Sequence, residues 1–193
     1  QGSDVATLDQ KSELAIARYK VDVGERNNIG VLMTHRQADD YNNTLLSVDG
    51  TYWLSQKDNI SYQVARSETD NPASVIEDFE VSKEQSDQAL SINYSHSTRD
   101  YNLNANYSNI GDDFRADLGF QSRTNIERVV LGGRRNYYGS DEDMFTRWGY
   151  FGDWDKTYDQ DGNMLEEEYE IHGNLQGSKQ FFTNFGIVHR QRL

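Results

Sequence analysis

The stretch YNLNANYSNIGDDFRADLGFQSR, residues 101–123, alternates between apolar and polar side chains over most of its length. From Tyr101 to Tyr107, apolar or aromatic residues stand at the odd positions and asparagines at the even ones. After a link at 109–113, the alternation resumes over 114–121. A period of two predicts extended strands with one apolar and one wet face. The stretch therefore predicts two strands joined by the link at 109–113.

The same periodicity recurs along the chain, after a polar lead-in at residues 1–13. It predicts further strands at 14–23, 29–36, 44–54, 60–65, 89–96, 126–135, 145–154, 165–175 and 180–190. The predicted fold class is therefore all-β: an antiparallel up-and-down meander of about eleven strands. Most of them have the length that a tilted strand needs to cross a bilayer.

The composition favours a transmembrane β-barrel, or a segment of one, over a soluble domain. Only 35% of the 193 residues are hydrophobic, the mean hydropathy is -0.88 and the net charge is -13. These values could also indicate disorder, but 12% aromatic residues and a single proline oppose it. A barrel strand needs an apolar residue only at every second position. The acidic balance argues against a nucleic-acid partner.

No pattern in the sequence indicates an enzyme. The four histidines lie in separate predicted strands without metal-ligand spacing, and there is no cysteine. The nucleophile-elbow and phosphate-loop motifs are both absent. We therefore expect a non-enzymatic protein without a transition-metal site or an organic cofactor.

The segment DQDGN, residues 159–163, allows two interpretations. Asp-Gly between two strands is a strong signal for a hairpin turn. Alternatively, Asp159 and Asp161 could hold a loosely bound calcium ion, although the glycine that an EF-hand loop requires is missing.

The polar sides of the predicted strands carry charges of both signs. In a barrel these side chains face a water-filled lumen, where they can pair with one another or contact a solute. The lumen-facing candidates are Arg18, Lys20, Asp22, Asp49, Arg115, Asp117 and Arg123.

The apolar sides carry many aromatic rings. Tyr and Trp gather where a membrane meets water, although the same rings could stack on a sugar. The lipid-facing or girdle candidates are Tyr19, Tyr52, Tyr101, Leu103, Tyr107, Leu118, Phe120, Trp148 and Trp154.

Parts of the chain resemble an uncharacterised family of Gram-negative outer-membrane β-barrel domains. IG at 110–111, FRADLGF at 114–120 and RT at 123–124 are similar to that family's (I/L)-G-x-x-F … G-F-x-x-R-T segment, which joins two strands. The hairpin at 17–34 and VDG at 48–50 resemble two other family segments. The resemblance covers most of residues 14–135.

The resemblance implies a place in the bacterial outer membrane, in contact with its lipid and lipopolysaccharide. In that family the barrel follows a module like a family-9 carbohydrate-binding module, which makes a saccharide the candidate solute. The family implies no catalytic residues. This chain lacks that module and a final strand ending in an aromatic residue. We therefore expect one domain, 1–193, that is an internal fragment of a larger barrel. The remaining strands of a longer polypeptide, or a partner chain, would close it.

Two hypotheses on function follow. The first is an outer-membrane β-barrel segment for the passage or capture of a solute. The alternative is a soluble extracytoplasmic β-sandwich that binds carbohydrate and packs its apolar faces into a core of its own.

Overall fold

The computed structural model describes residues 11–119, 123–140, 142–177 and 181–193. Within these ranges the chain is all-β, with ten strands and one short helix. The strands are β1 Glu13–Val23, β2 Asn27–Gln37, β3 Asn42–Trp53, β4 Asp58–Asp70, β5 Glu84–Ser97, β6 Tyr101–Ile110, β7 Ile126–Tyr138, β8 Phe145–Tyr158, β9 Met164–Gly177 and β10 Phe182–Arg192. The helix, α1, spans Ala73–Phe79.

All ten strands form a single antiparallel sheet in chain order, from β1 to β10. This confirms the predicted meander. β1 and β10 are the edge strands, and in the described residues the sheet is not closed into a barrel. Within the same ranges, no helix is long and apolar enough to cross a membrane.

The predicted strand at 114–121 is wrong. β6 ends at Ile110, β7 begins at Ile126, and the described part of their connection is irregular. The alternating pattern mispredicts a strand here because the apolar residues serve a loop: Phe114 is buried against Leu45 of β3 and does not lie in a strand of the sheet. Phe120, a lipid-facing candidate, lies outside the described residues.

The described chain divides into two compact units. Unit one contains β1, β2 and nearly all of β3, together with residues 61–91 and 108–126. Unit two contains residues 53–60 and 92–107, together with everything described from Glu127 onward.

In unit one, the two faces of the strands differ sharply. On one face the apolar side chains are exposed, and the register places Val31 between Tyr19 and Val48. The exposed set on β2 to β4 is Ile29, Val31, Met33, Leu46, Val48, Tyr52 and Val64. The other face, which we call the polar face, buries Thr34, Asn43, Ser47, Ser67 and Thr69.

Unit two has the same arrangement. Its exposed apolar side chains include Leu103, Leu131, Trp148, Tyr150, Tyr169, Ile171, Phe185 and Ile187. The side chains that alternate with them, on the polar face of this unit, include the buried carboxylates of Asp155 and Glu168.

The small hydrophobic core lies in unit one, on the polar face. Leu45, Ala65 and Phe114 are buried there, and Ala89, Ile110 and Ala116 pack against them. Residues 111–119, which we call the inner loop, therefore fold back over the polar face of β3 and β4.

Replacing Phe114 with alanine should release the inner loop. Removing a buried phenylalanine side chain destabilises a protein by about 3 kcal/mol or more. Hydrogen exchange should then show faster exchange at the backbone amides of Arg115 and Asp117, which donate to Ser67 Oγ at 2.9 Å and to Asn43 Oδ1 at 3.3 Å.

The matched control is Phe79→Ala in α1, where the side chain is 50% exposed. This change should leave the two amides unaffected. Unchanged exchange in Phe114→Ala would contradict the docked position of the loop.

Candidate functional site

The polar face of unit one carries an ion pair between β1 and β3. Arg18 on β1 reaches past β2 to Asp49 on β3, with Arg18 Nη2 2.7 Å from Asp49 Oδ1. Gly30 lies beneath this pair: a Cβ atom there would stand 2.7 Å from Asp49 Oδ1 and 3.1 Å from Arg18 Nη2. The absence of a side chain at Gly30 lets the two charges meet.

A polar pocket of about 300 Å³ opens beside this ion pair. Its lining combines charges, amides and hydroxyls: Lys20, Asn28, Asp49, Thr51, Gln63 and Ser91 all contribute. Such groups can both donate to and accept from a polyhydroxylated or charged solute.

The inner loop is held to the polar face by Asp117. Its Oδ2 accepts hydrogen bonds from Tyr41 OH at 2.6 Å and from Arg36 Nη1 at 3.2 Å, and its Oδ1 accepts from Arg115 Nε at 2.8 Å. The Asp117 side chain is only 5% exposed. Two guanidinium groups and a phenol therefore compensate a carboxylate that is almost removed from water.

Tyr41 is affected by the same network. Burial raises the pKa of its phenol well above the ordinary value, and the hydrogen bond to Asp117 raises it further. The two nearby guanidinium groups oppose this shift. The phenol therefore stays neutral and remains a donor to Asp117 into the alkaline range.

An apolar cavity of about 420 Å³ lies under the inner loop. Phe114, Ala116 and Leu118 contribute from the loop, and Leu45 and Ala65 contribute from β3 and β4. Leu118 therefore belongs to this cavity. Its predicted lipid-facing position is wrong because the strand that would have carried it is a loop.

The polar face of unit two is strongly charged. Arg128 on β7 binds Asp155 on β8, with Nη2 and Oδ2 2.6 Å apart. Arg190 on β10 binds Glu168 on β9, and its Nε also lies 3.2 Å from Glu166 Oε1. A buried charge needs a partner of opposite sign. The arginines provide that partner for the buried carboxylates of Asp155 and Glu168.

Charges of both signs share this part of the face. Five carboxylates on β8 and β9 lie among five arginines: Asp153, Asp155, Glu166, Glu168 and Glu170 with Arg128, Arg134, Arg147, Arg190 and Arg192. Neither sign is in excess among these ten side chains, which can therefore pair with one another.

Residues 159–163 form a hairpin turn between β8 and β9. Both carboxylate oxygens of Asp159 accept from Asn163, one from the backbone at 2.8 Å and one from the amide at 2.9 Å. These bonds hold the pKa of Asp159 below its usual value. No group of three or more metal-ligating side chains is found in the described ranges. Calcium at Asp159 and Asp161 stays a prediction.

The structure brings only some of the lumen-facing candidates together. Arg18 pairs with Asp49, and Arg115 pairs with Asp117 from the inner loop instead of from a strand. Lys20 and Asp22 lie exposed on β1, and Arg123 lies exposed in the connection before β7.

Most of the girdle candidates lie on the apolar sides of their strands. Tyr19, Tyr52, Tyr101, Leu103 and Trp148 are exposed there. Two others are half-buried and hydrogen-bonded: Tyr107 OH donates to Glu127 Oε1 at 3.2 Å, and Trp154 Nε1 donates to Glu167 Oε1 at 3.1 Å.

Sequence reasoning missed the charges of β8 to β10 and the role of Tyr41. Glu166, Glu168 and Glu170 stand at every second position, which was a usable signal for one polar face. Tyr41 lies in a short connection, and nothing in the local sequence indicates its contact with Asp117, which lies 76 residues away.

Comparison with known protein families finds no family model that matches the chain, and no curated protein matches it. The family resemblance therefore depends on the motif residues alone.

The Tyr41 phenol should make part of the stability depend on alkaline pH. Its folded-state pKa lies above the unfolded value of about 10. The stabilisation that it provides is therefore complete below pH ~10 and is lost as the pH rises through the folded-state pKa. The free energy of unfolding should fall more steeply above pH ~10 in the wild type than in Tyr41→Phe.

Tyr52→Phe is a suitable control, since Tyr52 is 54% exposed. It should keep the wild-type slope. Equal slopes for the wild type and Tyr41→Phe would exclude a buried, neutral Tyr41.

Proposed function

We propose that this chain is a segment of a bacterial outer-membrane β-barrel that serves the passage or capture of a solute. Its apolar side chains contact lipid, including lipopolysaccharide, and its polar face lines a water-filled lumen. It acts without catalysis.

The distribution of burial carries this proposal. In the described ranges, only four hydrophobic side chains are buried but ten polar or charged ones are, whereas thirty large hydrophobic side chains are exposed. A soluble domain of this size buries apolar residues and rarely exposes a large apolar patch. The observed distribution is reversed, as expected when the surroundings are hydrocarbon and the interior is wet.

The lengths of the connections support the same proposal. In an antiparallel meander, connections alternate between the two ends of the sheet. At one end lie the short turns 24–26, 54–57 and 98–100 and the connection 139–144. At the other end lie the two longest connections, 71–83 and 111–125, beside the short ones 38–41 and 159–163. The inner loop belongs to the second set, and long loops confined to one end are typical of outer-membrane barrels.

The two edge strands indicate how the barrel would close. β1 and β10 each pair on one side only in the described residues. Unpaired backbone groups are not tolerated in hydrocarbon. We therefore propose that further strands, from a longer polypeptide or from a partner chain, pair with β1 and β10.

A saccharide is the solute that we propose. The polar pocket beside Arg18 and Asp49 offers amides and hydroxyls, which are groups that bind sugars.

The soluble sandwich is the weaker candidate. It requires a second protein layer over the apolar face. Leu46 is 54% exposed on that face in unit one, and Ile171 is 58% exposed in unit two. In the described residues of either unit, nothing covers these side chains.

A matched pair of substitutions on β4 tests the lipid contact. Val64 is 45% exposed on the apolar side, and its exposed neighbour Gln63 faces the polar pocket. Val64→Arg should destabilise the protein in lipid vesicles by about 2–4 kcal/mol, because a charge would enter hydrocarbon near mid-strand. Gln63→Arg should have a small effect. The measurement is urea unfolding from vesicles.

Similar losses at the two positions would contradict the assignment of the faces. Failure of the wild-type chain to insert into vesicles, together with stable solubility in water, would overturn the proposed function itself.

A further inference from the structure

Four aromatic rings and one arginine lie together on the apolar side of unit two. This aromatic patch consists of Tyr101, Tyr137, Trp148 and Tyr150 with Arg135, whose guanidinium group contacts two of the rings. The guanidinium carbon lies 5.1 Å from the centre of the Tyr137 ring and 5.6 Å from that of Tyr101. Tyr137 and Trp148 are stacked, with their ring centres 4.0 Å apart.

The patch is open to its surroundings. Tyr101 is 37%, Trp148 42% and Tyr150 48% exposed. Tyr101 begins β6, Tyr137 is next to the end of β7, and Trp148 is the fourth residue of β8. All three therefore lie near the end of the sheet that carries the short turns. Rings at the end of a membrane strand lie at the depth of the lipid headgroups.

Three groups of the patch can donate hydrogen bonds but find no acceptor in the described residues. In the described part of the chain, Arg135 forms no ion pair and no hydrogen bond, and only ring contacts are found. The phenol of Tyr101 and the indole N–H of Trp148 likewise donate to no described residue. An anionic group, which only accepts hydrogen bonds, would complement this cation and the two donors.

We propose that the aromatic patch binds the phosphate group of a membrane lipid. The guanidinium of Arg135 pairs with the phosphate oxygens, and the rings contact the adjoining glycerol and the first part of the acyl chains. This inference rests on the proposed membrane location, because only there does a lipid phosphate meet this end of the sheet. The arginine would fix the depth of unit two in the bilayer.

The chain offers a matched control in the adjacent residue. Arg134 points to the polar face, where its guanidinium lies 4.4 Å from the centre of the Phe151 ring. Arg134→Gln and Arg135→Gln remove the same charge from opposite faces of one strand.

The experiment measures lipid binding by native mass spectrometry, with the protein in decyl maltoside, a detergent without phosphate. The ligands are dimyristoyl phosphatidylglycerol and dimyristoylglycerol, which share their acyl chains. The wild type should prefer the phosphate-bearing lipid at least about tenfold, as one charge-assisted pair provides. Arg135→Gln should lose most of this preference, and Arg134→Gln should retain it. Inorganic phosphate at millimolar concentration should not displace the lipid.

Three results would overturn the inference. One is equal wild-type affinity for the two lipids, which requires no variant to fold. Another is an equal loss of preference in both variants. The third is displacement by inorganic phosphate, which would indicate a general anion site. Each of these can occur in a chain that inserts into vesicles. Failure of insertion would instead count against the proposed function.

Discussion

One constraint governs the described strands: apolar side chains stand at every second position, and no described part of either unit covers them. Val31, Val48 and Val64 show it in unit one, and Leu103, Leu131 and Ile171 show it in unit two. Hydrophobic surface of this extent is strongly unfavourable in water. The low hydrophobic content, the two-residue period and the exposed aromatic rings share one explanation if hydrocarbon covers this side of the strands.

The buried carboxylates of the polar face follow the complementary rule, that buried charges must be paired. Asp117 is compensated by two arginines and a tyrosine, and the carboxylates of Asp155 and Glu168 lie against Arg128 and Arg190. The same holds for the backbone of the inner loop, because Ser67 and Asn43 accept hydrogen bonds from the amides of Arg115 and Asp117. The loop therefore covers part of the polar face of unit one, with the amides of Arg115 and Asp117 paired.

The strands could be predicted from sequence because their period follows directly from backbone geometry. Residues 114–119 show the limit of that reasoning, since a loop that packs Phe114 and Ala116 inward gives the same alternation as a strand. The contacts of Asp117 with Arg36 and Tyr41 could not be predicted, because they join positions far apart in the chain. Arg18 and Asp49 were placed on the polar side by their period, but their pairing depends on the gap at Gly30, which only the register reveals.

The most direct test is the environment of successive side chains along β6. The chain contains no cysteine, so single cysteines at positions 101–106 can each carry a nitroxide label after reconstitution into lipid vesicles. Electron paramagnetic resonance then compares collisions with oxygen, which concentrates in hydrocarbon, and with a water-soluble nickel chelate. We predict that labels at 103 and 105 collide more with oxygen, and labels at 102, 104 and 106 more with nickel. The label at 101, at the depth of the lipid headgroups, should lie between the two groups. Equal exposure to the nickel chelate at all six positions would contradict a lipid-facing side.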